Sequence, residues 1–213
     1  MNSPHRLGFT ALAFAAGLGV AIPAANATVI FALGNNPQPG EQNILFGSSQ
    51  TGTTITGATN QSNTAVRFTS TQSLTTGGVG QGFFQPTASG TLLTNFAFSV
   101  PGETFGDFIF NPQIGGQPQG GGGTANVSAV ANDGTFPFSY ALGNGNNFLT
   151  ITTAGGETLS SVSFSVTGAG FNQLQQPRVS GLAGAPVPEP ASLALFGTAL
   201  AGLGLIRRRR KKV

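Results

Sequence analysis

Residues 136–151 read Phe-Pro-Phe-Ser-Tyr-Ala-Leu-Gly-Asn-Gly-Asn-Asn-Phe-Leu-Thr-Ile, two apolar-rich runs on either side of four turn-forming residues. Phe136, Phe138, Tyr140 and Leu142 alternate with Pro137, Ser139 and Ala141, so an extended chain puts its large apolar side chains on one face. A second extended run at 147–152 follows Gly143-Asn144-Gly145-Asn146, residue types that tolerate the positive φ of a tight turn. The stretch predicts a β-hairpin with one buried face.

Outward from it, the same period of two recurs. Leu92, Thr94, Phe96, Phe98 and Val100 alternate with Leu93, Asn95, Ala97 and Ser99, and Val162, Phe164 and Val166 alternate with Ser161, Ser163 and Ser165. Shorter runs at 29–33, 44–46, 53–59, 65–69, 107–110, 126–130 and 174–179 read the same way. Gly34-Asn35-Asn36-Pro37, Asn132-Asp133-Gly134 and Gly155-Gly156 punctuate them as turns. No window between Thr28 and Val187 keeps a helical period. About ten short strands in one domain of this size predict an all-β fold, an antiparallel β-sandwich or jelly roll. Its core is Phe-rich: fifteen of the 18 Phe fall in this portion, and Cys is absent, so burial rather than disulfides must stabilise it.

The two ends of the chain are of another kind. Met1 to Arg6 is a short basic segment, Leu7 to Val20 is apolar, and Ala25-Asn26-Ala27 offers the small-x-small pattern of signal peptidase with the cut before Thr28. An uncleaved anchor is the competing reading, but fourteen apolar residues are short for a span. At the other end stand Val187-Pro188-Glu189-Pro190, an apolar run from Ala191 to Ile206, and Arg207-Arg208-Arg209-Arg210-Lys211-Lys212. Sixteen uncharged residues as a helix rise roughly 24 Å, just short of the ~30 Å hydrocarbon core, so the long stems of Arg207 and Arg208 must snorkel. Six consecutive cations cannot follow the helix through the bilayer, which predicts a single transmembrane helix with its basic end in the cytoplasm. Pro188 and Pro190 hold the segment around Glu189 extended.

This tripartite tail resembles the PEP-CTERM sorting signal of Gram-negative bacteria. The resemblance implies an exported protein whose tail is cut near Pro188-Glu189-Pro190 by exosortase, an integral-membrane cysteine transpeptidase, with Arg207 to Lys212 as the stop-transfer end. It implies passage from an inner-membrane-anchored precursor to the cell surface or biofilm matrix, in association with extracellular polysaccharide. The domain organisation is then 1–27 signal peptide, 28–185 β-sandwich and 186–213 sorting signal.

Setting the ends aside changes the electrostatic reading. The chain is basic, with an isoelectric point of about 10.2, yet Arg67 and Arg178 are the only cations between Thr28 and Val187. Against Glu41, Glu103, Asp107, Asp133 and Glu157 they leave a net charge of −3, so nucleic acid is not an expected partner.

The same portion has no His, Cys or Lys, so nothing stands ready to activate a Ser or Thr hydroxyl, and zinc lacks its favoured ligands. Two carboxylates could hydrolyse a glycoside, but Glu103 and Asp107 are separated by Gly106 and read as a loop or edge pair. Asn132-Asp133-Gly134 or Glu103 with Asp107 could hold calcium; the turn reading is preferred, and no cofactor is expected. Arg67 and Arg178 are expected to pair with carboxylates or cover apolar surface rather than fork onto a ligand. Phe83 and Phe84 could form an aromatic platform for sugars, though at least one is expected in the core. The chain thus reads as a non-catalytic structural or exopolysaccharide-associated protein. The alternatives are a carbohydrate-binding module or adhesin and, below these, an ice-binding protein, since the Thr54/Thr56 and Thr150/Thr152 pairs do not repeat.

Overall fold

A computed structural model describes residues 28–77, 82–115 and 121–184. The expected signal peptide, with Ala25 and Ala27, and the expected sorting segment from Pro188 to Lys212 lie outside the described residues.

Fourteen strands occur in chain order: β1 (Thr28–Leu33), β2 (Gln42–Leu45), β3 (Thr51–Thr59), β4 (Ala65–Gly77), β5 (Phe83–Pro86), β6 (Asn95–Ser99), β7 (Glu103–Thr104), β8 (Asp107–Gln113), β9 (Gly122–Ala131), β10 (Gly134–Leu142), β11 (Leu149–Ala154), β12 (Leu159–Gly170), β13 (Gln173–Ser180) and β14 (Ala183–Gly184). All pairings among them are antiparallel, and no helix is present among the described residues. The main sheet runs β1-β11-β8-β13-β2-β3-β4-β6-β12-β9-β10, with β5 bridging β13 and β4. It doubles over, so that β1-β11-β8-β13 faces β4-β6-β12-β9-β10 as a sandwich with β2 and β5 at the corner. β13 pairs with β5 before its bulge and with β2 after it, and Gln176 takes a left-handed φ of 50° at that bulge.

Phe rings join the layers. Phe98 on β6 lies parallel to Phe108 on β8 at 4.0 Å between centroids, and Phe96 meets Phe110 edge-on at 5.4 Å. At the open side, where β1 and β10 end the sheet, Phe31 stacks on Phe138 at 4.9 Å. Within one layer the neighbouring strands β9 and β12 also come into close backbone contact: a Cβ on Gly123 of β9 would lie 2.4 Å from the carbonyl oxygen of Thr167 on β12. That position has a φ of +125°, which glycine adopts without strain.

The expected hairpin of 136–151 is not formed. Both strands exist, but β10 pairs with β9 and β11 pairs with β1 and β8. The two-residue turn belongs to Asn132-Asp133, since Ala131 pairs with Gly134. Residues 143–148 instead carry the chain from one layer to the other. Asn147 holds this crossing: its Oδ1 accepts from Gly143 N at 2.7 Å, and its Nδ2 donates to the carbonyls of Gly143, Gly145 and Pro112. Gly145 exchanges two backbone bonds with Ile114, at 2.9 and 2.6 Å. Six residues with their polar groups satisfied against β8 can cross a sandwich, whereas a tight turn would have kept both strands in one layer.

Two smaller departures have local causes. The alternation from Leu92 breaks at Thr94, where Leu93, fully buried, makes a separate bridge to Phe171. The unexpected β5 is short, but it closes the corner with Phe84 in the core.

Candidate functional site

Charge is distributed unevenly along the strands. Glu103 pairs in register with Gly184, Asp107 with Ser180 and Thr152, and Arg67 with Ser99 next to the turn at Val100. Glu157 Oε1 accepts from Asp133 N at 3.1 Å, and Glu41 Oε2 accepts from Arg178 Nη1 at 2.9 Å beside the Gln42–Val179 pair. Five of the seven charged residues between Thr28 and Gly184 thus gather at one end of the sandwich, while the Glu41–Arg178 pair reaches toward its middle, Arg178 being level with Ala32 through Ile109 and Thr150. Thr28 stands opposite Ala154 at the charged end, and Gly184 leaves from the same end, so both chain exits share it.

The ionic groups are mostly engaged in structure. Residues 34–41 cross the outer face of β11, β8 and β13 as a strap. Asn36 N donates to Thr150 Oγ1 at 3.2 Å and Thr150 Oγ1 donates to Gly34 O at 2.9 Å. Arg178 donates to Asn35 Oδ1 as well as Glu41, and Gln38 N donates to Glu41 Oε1 at 2.7 Å. Beneath the strap Ile109 is fully buried although it points away from the Phe core.

Asp107 is buried beside it and accepts from the Ser180 hydroxyl. Burial raises its carboxyl above the ordinary range; the Ser180 bond opposes this, while the nearby Glu41 charge adds to it. Glu103 and Asp107 therefore do not form a dyad: one is in the β7–β14 ladder and the other under the strap. Glu157 is buried against the Asn132-Asp133 turn, Asp133 is exposed, and Arg67 is exposed on β4. Among the described residues no three His, Cys, Asp or Glu side chains converge as a metal cluster.

The expectation that at least one of Phe83 and Phe84 lies in the core holds. Phe84 packs in the core at 4.9 Å from Phe68, and Phe83 lies over Gly77, where a Cβ would meet its ring at 2.5 Å.

Among the surface concavities of the described residues, two of the larger ones bear on binding. A groove of about 490 Å³ crosses the outer face of β4, β6 and β12, lined by Thr69, Asn95, Ala97, Ser163 and Ser165. Its main amide, Asn95, is engaged by Ser70 and Thr71. The second, about 270 Å³, opens between β1 and β10 at the uncharged end, lined by Leu33, Tyr140, Asn146, Asn147 and Phe148. Tyr140 donates to Asn147 O at 3.4 Å, and burial holds its phenol neutral by raising its pKa. Asn146 Oδ1 accepts from Asn111 Nδ2 at 2.8 Å, and Asn146 itself is exposed. Sequence reading missed this cleft because its walls come from strands that are not neighbours in the chain.

The tail matches the PEP-CTERM protein-sorting motif over residues 186–211, which marks the chain as an exported protein. No curated protein matches the chain. Among solved structures, the family 11 carbohydrate-binding module from Clostridium thermocellum, in complex with a β-1,3-1,4-mixed-linked tetrasaccharide, is similar at a TM-score of 0.29 and 10% identity. The alignment covers 68% of this chain and 98% of that one.

Proposed function

We propose that the chain is exported by a signal peptide cut at Ala27–Thr28 and held in the inner membrane by residues 191–206. Exosortase then cuts it near Pro188-Glu189-Pro190, delivering a non-catalytic β-sandwich to the cell surface or matrix, in association with extracellular polysaccharide. The observation that carries the reading is the sorting motif at 186–211, joined to a domain that the chain enters and leaves at one end.

The non-catalytic part draws support from the carboxylates. Glu41 is tied to Arg178, Glu157 to a turn and Asp107 to Ser180, so three of the five acids are engaged in holding loops and strands. With no His, Cys or Lys in residues 28–184, no imidazole, thiolate or amine stands beside a Ser or Thr hydroxyl, and the remaining acids, Glu103 and Asp133, lie in different turns and ladders.

Mass spectrometry of the surface fraction of producing cells tests the processing. A chain beginning at Thr28 and ending near Pro188 is expected; a surface form that keeps Arg207 to Lys212 would reject it.

A further inference from the structure

We infer that the cleft between β1, β10 and residues 143–148 is a binding site for a neutral polysaccharide. The inference rests on the polysaccharide-association reading above and assigns it a place. Four observations carry it.

The walls have the chemistry that a sugar needs. The half-buried Phe148 offers aromatic surface for the apolar face of a pyranose, and Leu33, 60% exposed, extends it, with the buried Tyr140 forming the floor. Asn146 offers an amide for hydroxyls: its Oδ1 is held by Asn111, which leaves the exposed Nδ2 as a donor without a protein partner.

The cleft is also held in shape before any ligand arrives. Asn147 fixes the 143–148 crossing through its bonds to Gly143, Gly145 and Pro112, and Asn111 Oδ1 takes the Asn147 N–H at 2.8 Å. Gly34 N donates to Phe148 O at 2.8 Å and locks the β1 wall against the other. Loop ordering on binding, which normally weakens association, is largely avoided.

The ligand's charge class follows from where the charges are. No ionic side chain lines the cleft, and Arg178, which reaches Asn35 beside the cleft's Gly34, is already paired with Glu41, so no free charge at the cleft is left for a uronate or an amino sugar. Both chain exits share the charged end of the sandwich, so the cleft faces away from any tether on Thr28 or Gly184 and toward the matrix.

The outer-face groove is the weaker candidate. Its amide is already engaged, and Phe96 and Phe164 beneath it are in the core.

The test is depletion of the exported protein from solution by insoluble neutral glucans and mannans, with polygalacturonate as the anionic arm. At least one neutral polymer is expected to bind. Phe148→Ala and Asn146→Ala should each weaken binding by about tenfold, while Ser163→Ala in the outer-face groove leaves it unchanged. Circular dichroism checks that Phe148→Ala and Asn146→Ala are folded, since the latter also removes the acceptor of the buried Asn111 amide; Leu33→Ala, at a wall position 60% exposed, carries little folding risk and should weaken binding as well. Binding untouched by all three cleft variants would overturn the cleft and leave polysaccharide association standing. Binding only to polygalacturonate would overturn the neutral ligand, and binding to no polymer would overturn both readings.

Discussion

Phe98 and Phe108 lie face to face with ring planes 1° apart, one on β6 and one on β8, and this contact joins the two layers at their centre. Both are fully buried, so neither layer can slide without leaving a cavity. Phe108→Ala is expected to cost about 3–5 kcal/mol, a large share of the stability of a single domain. Urea unfolding measures it. Phe83→Ala, at a half-buried corner ring, should cost distinctly less, and equal losses would contradict the assigned core.

Asn147 is expected to be the residue on which the layer crossing depends. Asn147→Ala removes bonds to one N–H and three carbonyls, for a loss of about 1–3 kcal/mol. Asn147→Asp keeps the acceptor for Gly143 N but turns a carboxylate toward the carbonyls, so it should melt no higher than the Ala variant. An Asp variant as stable as the parent would contradict the bonding described.

The strap is expected to be held by Arg178. Removing Arg178 leaves Glu41, whose side chain is 11% exposed, without its ion partner, whereas removing both acid and base relieves the penalty. A double-mutant cycle with Glu41→Gln and Arg178→Met should give a coupling of about 0.5–3 kcal/mol. Additive effects would mean that the strap is held elsewhere.

Asp107 should make the domain less stable as pH rises. Its carboxyl titrates above the ordinary 3.8, so over the interval between the two values the folded chain binds more protons than the unfolded one. Stability is then greatest near the lower value and falls as pH climbs through the raised one. Asp107→Asn removes the ionisable group while leaving a polar partner for Ser180. It should melt above the parent near about pH 7, with the gap closing toward about pH 4, in thermal melts across that range. A gap that does not change with pH would contradict the raised value.

Much of the strand content was legible because period-two alternation is local. Residues 29–33, 126–130, 136–142 and 162–166 all fall within observed strands. The expectation that Arg178 pairs with a carboxylate also held, since a domain with two cations and five acids seldom leaves a part-buried Arg unmatched. The hairpin failed for a reason that alternation does not contain. Asn147 can close a tight turn or brace a crossing equally well, and Asn111, thirty-six residues earlier, supplies the bonds that decide between them. The expected burial of at least one of Phe83 and Phe84 held for Phe84, but that β5 is fixed between β4 and β13, from distant parts of the sequence, was not legible.

The all-β class, the Phe core and the sorting motif at 186–211 are legible in the amino-acid order, because each is written in neighbouring residues. So is the small number of charges. The folded chain alone shows that five of those charges share one end with both chain exits and that Asp107 and Ile109 lie under a strap tied to Arg178. It likewise places the aromatic cleft at the uncharged end. These features arise from strand order, which brings Thr28 to Ala154 and Glu103 to Gly184 through backbone pairing between distant segments. Such pairing is set by how the two layers bury their Phe rings, and a local pattern carries no information about it.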